Sequence, residues 1–146
     1  MNKDIISNSV EETEAFGAEL GRMMAECKNT PAFIALYGDL GVGKTAFVRG
    51  LASVVAPASA VRSPTFSIVN EYKSSNSSLF HFDMYRIEDE DELYSIGFYD
   101  YLDRGICVVE WSENIPFALP DSYIRVEISK TSQERPDERK ISVQTL

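Results

Sequence analysis

The chain has 146 residues, of which 44% are hydrophobic and 25% charged, proportions of a soluble globular protein with enough length for one domain over residues 1–146 and a real core. A formal net charge of -9 repels phosphate backbones and argues against autonomous nucleic-acid binding. No apolar run approaches membrane-spanning length and no signal-peptide core follows Met1-Asn2-Lys3-Asp4, so a cytoplasmic protein without membrane contact is expected.

Ser9-Val10-Glu11-Glu12 has capping-box spacing, and Phe16, Leu20, Met23 and Met24 then recur on one helical face. This predicts a packing helix in which Gly17 and Gly21 either weaken the turn or permit close contact. Phe33-Ile34-Ala35-Leu36-Tyr37 reads as a buried strand. Directly after it, Gly38-Asp39-Leu40-Gly41-Val42-Gly43-Lys44-Thr45 fits G-x-x-x-x-G-K-S/T in full. Glycines there let the backbone turn its N–H groups inward around phosphate oxygens. Lys44 carries an ammonium to the β- and γ-phosphates, and the Thr45 hydroxyl is a ligand for Mg²⁺. A helix over Thr45 to Val55 would aim its positive N-terminal end at the same anion, and Ala56-Pro57 ends it. Asp39, Leu40, Gly41, Val42, Gly43, Lys44, Thr45 and Ala46 are therefore the candidate nucleotide-binding positions.

Pro64 biases Ser63 to extended backbone, so Arg62 to Phe66 is a loop leading into a strand in which Phe66, Ile68, Asn70 and Tyr72 alternate with their neighbours. A polar turn over Lys73 to Ser78 joins it to a second strand, Leu79 to Met84, as a hairpin. Glu88 to Leu102 predicts one or two short helices broken at Gly97, with Leu93, Ile96 and Phe98 buried. Ile106-Cys107-Val108-Val109 has the continuous apolar character of a strand covered on both faces, and it ends in Glu110-Trp111. Another strand follows around Tyr123 to Ile128. The polar stretch to Glu138, about residues 130–140, is expected as a mobile loop before a last edge strand at Lys140 to Val143. Cys27 and Cys107 are expected as buried free thiols.

A phosphate loop works with an acid at the carboxyl end of a neighbouring strand. Glu110 closes the better central-strand candidate and is favoured as the Mg²⁺-associated acid. Asp83 closes the Leu79–Phe82 run and becomes the second acid, for positioning water or supporting the metal. Thr65 stands in a loop that could reach the γ-phosphate as a switch segment does, or is an ordinary strand-leading threonine. His81, the only histidine, alternates with Phe80 and Phe82 and reads as structural rather than catalytic. Trp111 fits core, stacking platform or interface equally. Arg49, Arg62 and Arg86 are candidate phosphate partners, although solvent or a salt bridge is the commoner fate of arginine. The guanine-reading N-K-x-D pattern is absent, Asn2-Lys3-Asp4 having the wrong spacing, which favours ATP.

In this order, the phosphate loop, Ser63-Pro64-Thr65-Phe66, Val69-Asn70-Glu71-Tyr72, His81-Phe82-Asp83-Met84-Tyr85-Arg86, Ile96-Gly97 and Glu110-Trp111 closely resemble the bacterial TsaE (YjeE) family of small P-loop ATPases. The resemblance runs from the Ser9 helix to about Tyr123 and departs at Ala46, where many members carry a second threonine. It implies an α/β, P-loop NTPase-type three-layer fold, with a mixed sheet of parallel strands around the P-loop plus antiparallel strands and helices on both faces. It implies ATP/ADP bound at Gly41 to Thr45, Mg²⁺ at Thr45 and Glu110, and catalytic support from Lys44, Asp83 and the Thr65 loop. It also implies a partner, the TsaD–TsaB pair, which carries out threonylcarbamoyl transfer to adenosine in ANN-decoding tRNAs. The small ATPase, weak alone, would hydrolyse ATP in that assembly and meet tRNA only indirectly. The alternatives are a small-molecule kinase with Asp83 as base, which the lack of an arginine-rich lid disfavours, and a nucleotide sensor that does not hydrolyse.

Overall fold

The computed structural model describes the whole chain except residues 1, 28, 40, 58–59, 65–67 and 75–76. Its elements are β1 (Asn2–Ser7), α1 (Val10–Glu26), β2 (Phe33–Tyr37), α2 (Lys44–Val55), β3 (Val69–Lys73), β4 (Ser78–Asp83), α3 (Glu90–Ser95), α4 (Phe98–Tyr101), β5 (Ile106–Glu110), β6 (Ile124–Ser132) and β7 (Arg135–Thr145). One seven-stranded sheet takes the order β1-β7-β6-β2-β5-β4-β3. β2 runs parallel to both β5 and β6, and β4 parallel to β5, while the β3/β4, β6/β7 and β1/β7 pairs are antiparallel. This is the mixed sheet expected of a P-loop α/β fold.

Alternation along β2 divides the core in two. Ile34 and Leu36 join Phe16 and Leu20 of α1 and Phe47, Val48 and Leu51 of α2 on one face. Phe33 and Ala35 face the other way, with Phe80, Phe82, Val109, Leu93 and Phe98. The parallel strands are thus covered twice, which is why they read as unbroken apolar runs. Each fully buried side chain of this size, Phe47 or Leu51 for example, contributes about 1.5–3 kcal/mol of transfer free energy.

Ser9 caps α1, its Oγ accepting from Glu12 N at 3.1 Å, while the Glu12 carboxylate reaches back to the Asn8 N–H. The α1/α2 crossing is made by glycine. A Cβ on Gly17 would lie 2.2 Å from Phe47 O, and one on Gly50 would lie 1.8 Å from Glu14 O. The two backbones touch there, and the close-packing role of Gly17 is the one that applies.

Three expectations are corrected, and β1 is an element for which the sequence raised none. Residues 130–140 are not a loop but the outer part of the β6–β7 hairpin. β7 is not an edge, because β1 covers it. Cys27 is exposed at the C-cap of α1, although Cys107 is buried as expected. Of the alternating strand expected from Phe66, residues 65–67 lie outside the described residues. Ile68 has φ 66° and precedes the regular strand, which begins at Val69. The helices on either side of Gly97 form as α3 and α4. Among the described residues, no helix is long and apolar enough to cross a membrane.

Candidate nucleotide site

The turn after β2 carries the phosphate-loop sequence directly into α2. Gly43, at φ 108°, is the residue from which the helix starts, in backbone that L side chains rarely adopt. No side chain caps α2, and no acid stands in its first turn. Phe47 N is bonded to Gly43 O at 3.1 Å, so the N–H groups of Lys44, Thr45 and Ala46 point out of the helix end without intrahelical partners. That end is suited to an anion.

Lys44, Asp83 and Glu110 are drawn to one place although they come from three elements. Their relative exposures are only 6%, 9% and 5%. Lys44 Nζ donates to Gly38 O at 2.7 Å and lies 3.7 Å from Glu110 Oε1. It also sits 4.8 Å from the centroid of the Trp111 ring. Glu110 is registered against Leu36 of β2 on one side and Asp83 of β4 on the other, so both acids stand at the carboxyl edge of the sheet. Glu110 Oε2 meets His81 Nε2. Asp83 Oδ1 accepts from Tyr85 N at 2.9 Å, which pins the chain as it leaves β4.

The loops around the acids are tightly held. Met84 N donates to Glu110 O at 3.0 Å, Asn114 Nδ2 to Met84 O at 2.9 Å, and Ser112 Oγ to Val109 O at 2.7 Å. Trp111 leaves β5 in left-handed backbone, φ 58° and ψ 40°, and its ring lies 5.0 Å from Tyr85. Such a conformation costs a bulky side chain about 1–3 kcal/mol and persists only where surroundings enforce it. Ile68 is bent likewise, and its carbonyl accepts from Asp83 N at 2.8 Å. Ile68, just before β3, is thereby tied to the backbone of the second acid.

Of the sequence-predicted positions, Gly41, Gly43, Thr45 and Ala46 lie at the mouth of α2, with Thr45 half-buried, Asp39 exposed and Val42 buried. Leu40 and Thr65 lie outside the described residues. Arg49 is not at the site: it pairs with Glu14 at 2.6 Å across the helix crossing. Arg62 and Arg86 are exposed. Two residues join the site unforeseen. His81 is one, through Glu110. Arg139 of β7 is the other: its Nε donates to Val42 O at 2.8 Å and braces the phosphate loop from behind.

Ser9, Val10 and Thr13 of α1 border a recess of about 120 Å³ with Gly41, Val42, Gly43, Ala46, Asp137 and Arg139. A larger cavity of about 690 Å³ opens over β6, lined by Tyr37, Asp39, Arg125 and Glu127 among others, but Lys44 and both acids lie outside it. Neither cavity is lined by Lys44, Asp83 or Glu110; those three meet where the start of α2 faces the ends of β4 and β5. Among the described residues no three His, Cys, Asp or Glu side chains gather to hold a metal. A phosphate-bound Mg²⁺ asks for less, since it takes one or two protein oxygens and keeps waters and phosphate oxygens for the rest. Thr45, half-buried in the first turn of α2, and Glu110, at the end of β5, carry oxygens of that kind.

The family model described as "Threonylcarbamoyl adenosine biosynthesis protein TsaE" matches residues 7–141. Three relatives carry the name tRNA threonylcarbamoyladenosine biosynthesis protein TsaE. That of Haemophilus influenzae is 36% identical over 115 residues, 77% of this chain and 73% of the relative. That of Bacillus subtilis is 36% identical over 133 residues, 90% and 78% of the two chains. That of Aquifex aeolicus is 41% identical over 113 residues, 76% and 77% of the two chains. The crystal structure of YdiB from Bacillus subtilis superposes with a TM-score of 0.74 at 30% identity, covering 99% of this chain and 85% of that one. On its phosphate loop, its pair of strand-end acids and these likenesses, the chain belongs to the TsaE family of threonylcarbamoyl adenosine biosynthesis proteins.

Proposed function

We propose that this protein is a cytoplasmic ATP-binding and hydrolysing subunit of tRNA threonylcarbamoyladenosine biosynthesis. It acts on a TsaD–TsaB pair rather than transferring the threonylcarbamoyl group itself. The observation that carries the ATPase reading is the placement of Lys44, buried at an uncapped helix start, between the Gly38 carbonyl and the Glu110 carboxylate. A buried ammonium held by a carbonyl and an acid is ready to exchange those partners for phosphate oxygens. The relatives' name supports the pathway.

The residues divide the work. The N–H groups of the first turn of α2 and Lys44 bind and orient the β- and γ-phosphates. Thr45 and Glu110 would hold Mg²⁺, which when bound neutralises charge on the phosphate oxygens. Asp83, fixed by the Tyr85 N–H, orients the attacking water. Phosphoryl transfer to water depends almost wholly on positioning and charge stabilisation. No arginine side chain stands among the described contacts of Lys44 and Glu110. Weak turnover alone and activation by the partner belong to this reading, a group supplied by the partner completing the site. The net charge of -9 agrees with docking on protein, tRNA being met through the assembly.

Mg²⁺-dependent ATP hydrolysis by the purified chain, alone and with the TsaD–TsaB pair, tests the proposal, with Lys44→Ala as control. Stimulation that disappears in the variant is expected. Equal rates with and without the pair would remove the partner from the mechanism, and tight ATP binding without turnover would make the chain a sensor.

A further inference from the structure

The single histidine of the sequence has no task in this scheme. His81 is fully buried in β4, and alternation turns its side chain to the same face of the sheet as Asp83. Parallel register sets it opposite Val108, one alternation before the Asp83–Glu110 pair. Its Nε2 meets Glu110 Oε2, and its Nδ1 has no hydrogen-bond partner among the described residues. The Tyr72 ring packs beside it with centroids 6.5 Å apart. As a space-filler this is a poor choice, because a buried nitrogen left without a partner costs free energy that Phe or Leu would not incur.

We propose that His81 is a positioning residue: it occupies Glu110 Oε2 and leaves Oε1 as the one oxygen of that carboxylate presented to Lys44 and the phosphate loop. What Oε1 then serves rests on the Mg²⁺-nucleotide reading above. Lys44 cannot fix the carboxylate by itself. It reaches over a flexible four-carbon stem, shares its ammonium with Gly38 O, and is the group a nucleotide draws away. The imidazole is carried by a strand paired on both sides and stays in place. Facing a carboxylate oxygen, Nε2 is the nitrogen that donates in this contact. A partner that orients a metal-ligating group in this way changes metal affinity by about 10–100-fold when removed.

With one histidine in the chain, long-range ¹H–¹⁵N spectra of the nucleotide-free protein contain one imidazole. They should show a protonated Nε2 whose signal is moved by Glu110→Ala. In parallel, binding of a fluorescent ADP analogue is measured in Mg²⁺ and in EDTA for the wild type, His81→Gln and His81→Phe. The amide N–H of glutamine can replace the Nε2 donor, whereas phenylalanine fills the space without one. All three should bind alike in EDTA. The tightening caused by Mg²⁺ should survive in His81→Gln and fall about 10–100-fold in His81→Phe. Undiminished Mg²⁺ tightening in His81→Phe, or an imidazole indifferent to Glu110→Ala, overturns the proposal. Absence of Mg²⁺ tightening in the wild type overturns the metal reading and the service assigned to Oε1. The spectra then still report separately whether His81 holds Glu110.

Discussion

Lys44 Nζ lies 3.7 Å from Glu110 Oε1, joining the first turn of α2 to the end of β5, with both side chains more than nine-tenths buried. A charge pair this dry is coupled, because removing either partner leaves the other buried without its counter-charge. In a double-mutant cycle of Lys44→Met and Glu110→Gln, urea unfolding of the nucleotide-free protein should give a coupling of about 0.5–3 kcal/mol. Additive effects would mean that water screens the pair and that Lys44 is held by Gly38 O alone.

Asp83 and Glu110 are paired in register but have different partners, and their variants should differ in kind. Asp83→Asn keeps an oxygen for the Tyr85 N–H and so keeps the fold of the turn. It should lower kcat for ATP hydrolysis about 10²–10³-fold, the usual loss for one preorganised polar group, while leaving nucleotide affinity nearly unchanged. A rise in KM with kcat intact would place Asp83 in binding instead.

Arg139 reaches the phosphate loop from a strand far along the chain. A hydrogen bond from a charged donor contributes about 1.5–3 kcal/mol, and here it holds Val42 in the turn that shapes the anion site. Arg139→Ala should weaken ADP binding about 10–100-fold by titration calorimetry, taking 1.4 kcal/mol per tenfold. Arg139→Lys should not restore it, since the bond uses Nε of the planar guanidinium. Wild-type affinity in Arg139→Ala would show that the loop needs no brace.

Much of this arrangement was legible in the sequence because its signals are local. The phosphate loop, β2, β5 and the capped start of α1 each declare themselves within a few residues. β5 also falls beside β2, where its unbroken apolar run suggested. β1 could not be read in this way. Its residues are mostly exposed, and it is a strand only because β7 offers it an edge. The outer β6–β7 hairpin is exposed almost throughout, so no apolar alternation marks it, and a register shift between Lys130 and Ser132 breaks the pattern further. Arg139 was lost with it. The His81–Glu110 contact depends on parallel register between two strands distant in sequence, which composition does not reveal.

The two thiols stand in opposite environments and should respond oppositely to pH. Cys27 is exposed at the end of α1, and hydrogen bonds from the Thr30 side chain and the Asn29 backbone hold its pKa below the usual thiol value. Cys107 lies inside β5, and burial pushes its pKa from 9.0 up to about 12. The thiolate is the reactive form, so Ellman's reagent should modify Cys27 rapidly in the native protein and reach Cys107 only on unfolding. Stability carries the second signature. Because the folded pKa of Cys107 is raised, its contribution is whole below about pH 9 and is lost as pH climbs towards about 12, where the unfolded chain has already released the proton. The limiting slope for one group is about 1.4 kcal/mol per pH unit. Urea unfolding of the wild type at pH 8, 9 and 10 should therefore show a steeper decline than the same series for Cys107→Ala. Other groups, Tyr37 and Tyr99 among them, titrate alike in both proteins, so parallel declines would mean that the thiol is hydrated in the folded sheet.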